Sequence, residues 1–225
     1  MSSFLLKIIA CITMFIDHVG YLVHHGKMSF YNFIGRISFP IFAFQISEGY
    51  CYTKNLKKYM FRLFIFALIS QYPFMLFHDL ISKGFALNIF FTLLLGLICI
   101  IIYDKLSNKI LSVALSIAIA FIAEITHCDY GFYGVFIIIL FYIFKNNIIF
   151  MNISFILCTI IKYANYIIRY GNSYIYILYC IFTLYSLIFI NLYNKKQGKK
   201  IKYFLYIFYP VHLLFISLVW NIIYI

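Results

Sequence analysis

Acidic residues are scarce in this chain: six Asp and Glu among 225 residues, against 18 Lys and Arg. Charged residues of both signs make up only 11% of it, while 65% is apolar and the mean hydropathy is +0.99. That balance excludes a cytosolic enzyme and a disordered tail, because little is left to face water. Cysteine pairing is lacking too. Cys11, Cys51, Cys99, Cys128, Cys158 and Cys180 form no CxxC pair, and five of these six lie inside apolar runs, where a thiol behaves as a small hydrophobe. No disulfide-stapled module is expected, and no metal site, since His127 and Cys128 have no further ligand close by. P-loop, GxSxG and HExxH patterns are absent. No repeat, linker or low-complexity tract divides the chain, so residues 1–225 read as a single domain.

What is present is apolar runs. They fall at about 4–24, 30–52, 59–77, 85–103, 110–127, 131–145, 148–168, 174–193 and 201–225. A span needs roughly 20 apolar residues, so the expectation is an all-α, polytopic helical bundle of about nine transmembrane helices, within a range of about eight to ten. The sixth run is short, which suggests a tilted or partly re-entrant segment. The first run carries Asp17 and His18 and no small-residue cleavage site, so it reads as a true span and not a signal peptide.

The basic residues collect in alternate loops: Lys54, Lys57, Lys58 and Arg62; Lys105 and Lys109; Lys145; and Lys195, Lys196, Lys199, Lys200 and Lys202. The other loops hold only Lys27, Lys83, Lys162 and Arg169. Basic loops stay inside, which places the N-terminus in the cytoplasm and the C-terminus outside. The +12 formal charge therefore reads as a topology signal with affinity for the lipid bilayer, not as a nucleic-acid surface.

Ionisable groups inside a span cost about 2.5–3.5 kcal/mol each on insertion scales, so each one demands a reason. Asp17 and His18 lie about 20 Å along the first span, in its outer half. A His beside a carboxylate suits a general base, and it equally suits a hydrogen-bonded pair that locks two helices. Arg36 enters the second span at similar depth, four residues before Pro40, whose missing N–H strands the Arg36 carbonyl. A kink there would expose the guanidinium to a phosphate, a carboxylate or a developing oxyanion, and an Arg36–Asp17 ion pair is the structural reading of the same residues. Gln71 beside Pro73, Asn88 and Thr92 on one face of the fourth run, and His212 beside Pro210 lie in the same outer half. A polar cavity lined by Asp17, His18, Arg36, Gln71, Asn88 and His212 is expected. Glu48 lies toward the inner end of the second span, next to the Lys54–Arg62 cluster. Glu124, Asp129 and Tyr130 lie at an outer turn, as acceptor contacts or as parts of a turn built around Gly131.

Several of these residues fall into blocks that resemble the TraX family. The blocks are Leu6-Lys7-Ile8-Ile9-Ala10 through Met14 to Asp17-His18-Val19-Gly20, and Gly35-Arg36-Ile37-Ser38-Phe39-Pro40 through to Glu48-Gly49-Tyr50 and Thr53-Lys54-Asn55. Lys58-Tyr59 with Arg62-Leu63, Gln71-Tyr72-Pro73-Phe74, Asn88 with Thr92-Leu93 and Gly96, Asp129-Tyr130-Gly131 with Gly134, and Tyr209-Pro210-Val211-His212 continue it in order. The resemblance implies an integral acetyltransferase of the bacterial cytoplasmic membrane. In the family's namesake the acceptor is the N-terminus of a conjugative pilin, and related membrane acyltransferases take acyl-CoA from the cytoplasm.

On that resemblance the expected donor is acetyl-CoA, and the acceptor an amine or hydroxyl on a peptide, a pilin or another surface-directed molecule. His18, Asp17 and Arg36 would be catalytic. Glu48, Gln71, Asn88, Thr92, Asp129, Tyr130 and His212 would line the cavity, and Lys54, Lys57, Lys58 and Arg62 would receive the CoA phosphates. A proton-coupled transporter or flippase, or a noncatalytic assembly factor, would use the same polar cavity differently.

Overall fold

The computed structural model describes residues 1–171, 173–199 and 203–224. Ten helices follow one another: α1 (Ser3–Val23), α2 (Phe30–Gly35), α3 (Ser38–Tyr52), α4 (Leu56–His78), α5 (Ile89–Lys105), α6 (Lys109–Ile125), α7 (Gly131–Ile143), α8 (Ile148–Tyr170), α9 (Ser173–Asn191) and α10 (Phe204–Tyr224). Among the described residues the only extended pairing is an isolated bridge between Leu87 and Cys128. The expected all-α architecture is therefore what the chain adopts. Lys200 and Lys202 of the last basic loop lie outside the described residues.

The helices have apolar exteriors, and several of their polar residues are turned inward. Along α4 the exposed positions are Phe61, Phe64, Leu68 and Tyr72, and along α10 they are Ile207, Val211, Phe215, Leu218 and Ile222. The buried positions, by contrast, include Asp17, Asn32, Asn88, Thr92 and His212. Exposed apolar stripes with polar groups turned inward suit hydrocarbon and not water. Among the described residues five helices (α1, α4, α8, α10 and the Tyr174–Asn191 part of α9) are long and apolar enough to cross a bilayer. The molecule is a helical membrane protein.

The second apolar run departs from the expected single helix. It is broken at Arg36–Ile37 into α2 and α3, and the break is crossed by three-residue backbone bonds from Arg36 N to Phe33 O (3.1 Å) and Ile37 N to Ile34 O (3.2 Å). Pro40 supplies the reason, because it cannot donate to the Arg36 carbonyl and the helix restarts just ahead of it. Pro73 and Pro210 stay inside continuous helices. α7 is 13 residues long, about 20 Å at 1.5 Å per residue, which is too short to span alone. Val135, Ile137, Ile138, Ile139 and Phe141 around it are all buried, as in a helix that does not face lipid.

The chain divides into two compact units, Met1–Phe42 with Ile148–Ile225, and Ala43–Asn147. In the first, α1 packs on α2 and α10, α8 on α9, and α2 on α9. The buried face of α1 carries Ser3, Leu6, Ala10, Thr13, Asp17 and Gly20, an alternation of three- and four-residue steps that turns Asp17 inward. Ser38 at the start of α3 donates its hydroxyl to the Ala10 carbonyl at 2.9 Å. In the second unit α5, α6 and α7 share a core of Cys99, Ala120, Ala123, Cys128, Val135 and Ile139. Small residues make that approach close: a Cβ on Gly96 would lie 2.5 Å from Ile138 Cδ1.

Candidate functional site

Within the first unit, four of the residues singled out in the sequence come together. Asp17 Oδ1 accepts from Arg36 Nη2 at 3.0 Å, forming the expected ion pair. It also accepts from Asn32 Nδ2 at 3.1 Å, and that same amide donates to the Asp17 carbonyl at 3.0 Å. The other carboxylate oxygen, Oδ2, lies 3.9 Å from His18 Nε2. Arg36 is fixed twice more, by donation from Nε to the Asn32 carbonyl at 3.1 Å and by lying over the Tyr179 ring, 5.0 Å from its centroid. Gly35 permits the whole arrangement: a Cβ there would fall 2.3 Å from Asp17 Cβ and Oδ1.

The two histidines form a chain whose protons can be assigned. His212 Nδ1 is 2.7 Å from the Phe208 carbonyl, and His212 Nε2 is 2.7 Å from His18 Nδ1. A carbonyl only accepts, so His212 Nδ1 carries a hydrogen. A neutral His212 then presents a lone pair at Nε2, which requires a hydrogen on His18 Nδ1 and leaves the His18 lone pair on Nε2, the atom facing Asp17. With both rings neutral, the arrangement holds His18 in one tautomer, with a carboxylate beside its basic nitrogen and a second imidazole behind it to share the charge.

The remaining sequence candidates lie in the second unit. Gln71 and Asn88 bond to each other: Gln71 Oε1 accepts from Asn88 Nδ2 at 2.9 Å and from its backbone N–H at 3.1 Å. Asn88 also caps α5 through Phe90 N (3.0 Å) and donates to the Ala67 carbonyl at 2.7 Å, while Gln71 donates to Ala86 at 2.7 Å. These amides pin the start of α5 to α4. Thr92 donates to the Asp129 carbonyl, and Tyr130 takes a left-handed φ of 64° just before Gly131. Glu124 accepts from Phe132 N at 2.9 Å, which caps α7. The outer-turn carboxylate thus serves the turn itself.

Glu48 is half-buried on α3, next to Gly49, where a Cβ would meet the Tyr59 hydroxyl at 2.6 Å. Lys54, Lys57 and Lys58 are exposed, and the last two occupy the first turn of α4, where Asn55 caps Lys58 N at 2.9 Å. Arg62 lies a turn further on, over the Tyr59 ring, with a buried Nε that has no hydrogen-bond partner among the described residues. Cations at the positive end of a helix dipole repel it and favour an anion. No group of three or more His, Cys, Asp or Glu among the described residues is placed to hold a metal ion.

Three participants escaped the sequence reading. Asn32 is fully buried and sits four residues before Arg36, a same-face spacing that the sequence reading passed over. Tyr179 is one of 22 tyrosines, and nothing in the sequence sets it apart. Asp104 accepts from Tyr50 at 2.7 Å and from Tyr142, while Lys145 sits over the Tyr142 ring at 3.9 Å, a polar node in the second unit.

These features define a polytopic helical membrane protein with a histidine pair, a carboxylate and an arginine buried in its helices. The family model described as TraX protein matches residues 2–220, and the chain belongs to the TraX family. It is similar to a probable fimbrial assembly protein FimC, serogroup H1, of Dichelobacter nodosus, with 30% identity over 229 residues, covering 94% of this chain and 93% of that protein. No solved structure matches it.

Proposed function

We propose that this protein is an acyltransferase of the bacterial cytoplasmic membrane that moves an acetyl group from acetyl-CoA to an amine or hydroxyl of a surface-directed acceptor. The observation that carries the reading is His18, 2.7 Å from His212, next to the Asp17–Arg36 pair. His18 Nε2 takes the proton of the acceptor as its nitrogen or oxygen attacks the thioester carbon. Asp17 Oδ2 and His212 stabilise the imidazolium, and Arg36 offers positive charge to the oxyanion. As the new C–N or C–O bond forms, the C–S bond breaks, and the proton passes from His18 to the departing sulfur. Lys54, Lys57, Lys58 and Arg62 would attract the CoA phosphates, as a basic loop on the cytoplasmic side would. The name of the D. nodosus relative makes a fimbrial or pilin subunit the first acceptor to try, with its N-terminal amine as the nucleophile.

Thermal unfolding in nanodiscs tests the donor without an acceptor in hand. Acetyl-CoA at about 100 times its dissociation constant should add about 2.7 kcal/mol, with a smaller gain from dephospho-CoA and from a variant lacking the Lys54, Lys57, Lys58 and Arg62 charges. No shift at millimolar acetyl-CoA overturns the reading in favour of a transporter.

A further inference from the structure

Tyr179 lies 4% exposed on α9, and its hydroxyl has no hydrogen-bond partner among the described residues. Its neighbour on α8 provides the contrast. Tyr163 is equally buried, but its hydroxyl meets Thr183 Oγ1 at 3.0 Å, and Thr183 in turn donates to the Tyr179 carbonyl at 2.7 Å. A phenol buried in an apolar bundle normally finds a partner, because leaving it bare costs the full desolvation of the O–H. The ring of Tyr179 is held by Phe33 edge-on at 5.1 Å and by the Arg36 guanidinium at 5.0 Å, so it cannot readily swing away to find one. The ring under the guanidinium therefore carries a buried donor without an acceptor among the described residues.

We infer that the Tyr179 hydroxyl is a further catalytic group, a hydrogen-bond donor to the oxygen of the acyl carbonyl, which acts alongside Arg36 as negative charge develops there. The inference rests on the acyl-transfer reading and extends it. Arg36 has Nη2 and Nε engaged by Asp17 and Asn32, so it supplies charge in a fixed orientation, and the phenol supplies a neutral donor that costs no reorganisation at the moment of reaction. No covalent change occurs at Tyr179, which keeps its proton throughout.

The test compares Tyr179→Phe with Tyr163→Phe in nanodiscs, reading the unliganded unfolding midpoint, the midpoint shift with acetyl-CoA, and the rate at which CoA thiol is released from acetyl-CoA with a short peptide bearing a free N-terminal amine as acceptor. Removing an unpartnered hydroxyl should leave the unliganded midpoint of Y179F unchanged or raised, and Y163F should lower it. Thiol release should fall about a hundredfold in Y179F, in line with the loss of one oxyanion donor, and stay near wild type in Y163F once corrected for folded protein. Equal release by wild type and Y179F overturns the inference alone, as does a lowered unliganded midpoint in Y179F, which would reveal a structural partner. A wild type that neither binds acetyl-CoA nor releases thiol overturns the acyl-transfer reading and this inference with it.

Discussion

His212 lies 194 residues from His18 in sequence and 2.7 Å from it in space, and its removal gives the most demanding test of the site. Replacing it with phenylalanine keeps a ring of similar size against Phe208 but deletes the Nε2 acceptor. The His18 Nδ1–H then sits in an apolar wall without a partner, at a cost of about 1–3 kcal/mol, or is avoided by a switch to the Nε2–H tautomer. In that tautomer the base faces the wrong way. Either route lowers the population of competent enzyme by about 5- to 150-fold at about 1.36 kcal/mol per decade.

His212→Gln restores an acceptor oxygen on a chain of comparable reach and should recover most of the rate. His18→Ala removes the base itself and should cost about 10²–10⁴-fold. The rate is read as CoA thiol release in nanodiscs, and the tautomer directly by nitrogen NMR of histidine-labelled protein. H212F at wild-type speed, or H212Q no faster than H212F, would refute the tautomer argument. A His18 spectrum that is unchanged in H212F would do the same.

Other outcomes follow from the same geometry. Gly35→Ala should drive Asp17 off Arg36, because the added carbon falls 2.3 Å from the carboxylate; thiol release should drop at least tenfold, and a double variant with Asp17→Ala should show no further loss. Asn32→Leu should cost about 1–3 kcal/mol of unfolding stability, since Asp17 and Ser29 lose bonds at 3.1 and 2.7 Å, as read by the midpoint in nanodiscs. Gly96→Ala should destabilise the second unit through Ile138, and adding Ile138→Val or Ile138→Ala should restore part of the loss; no rescue would mean that α5 and α7 do not touch there. Glu124→Gln should leave thiol release unchanged and lower the midpoint slightly, as expected of a helix cap.

The sequence disclosed the site through its costliest residues. Asp17, His18 and Arg36 stand out because a charge in an apolar run has few reasons to exist, and the break at Arg36 follows from Pro40 by a rule about a missing N–H. Gln71 and Asn88 also stood out, and they are found satisfying each other and the start of α5, a pairing that no spacing reveals because it joins two helices. Tyr179 was invisible for the opposite reason. In a chain with 22 tyrosines, only the absence of a partner distinguishes one phenol from another, and absence is a property of three-dimensional surroundings. The helical architecture was legible throughout from hydropathy. The shortness of α7 was legible too, but the burial that makes it tolerable was not.

The two halves of the histidine pair are made far apart in time. α1 carries His18 and is made well before α10, which carries His212. At about 5–20 residues per second, roughly 10–40 s separate the two. During that interval the chain holds His18 without the imidazole that lies 2.7 Å from it in the folded protein. The backbone repeats the logic, since Ser3 N and Phe4 N donate to the carbonyls of Lys196 and Gln197, so the first helix is fastened only when the last loop emerges. A chain cut before α10 would therefore lack both the imidazole that lies against His18 and the last helix packed on α1.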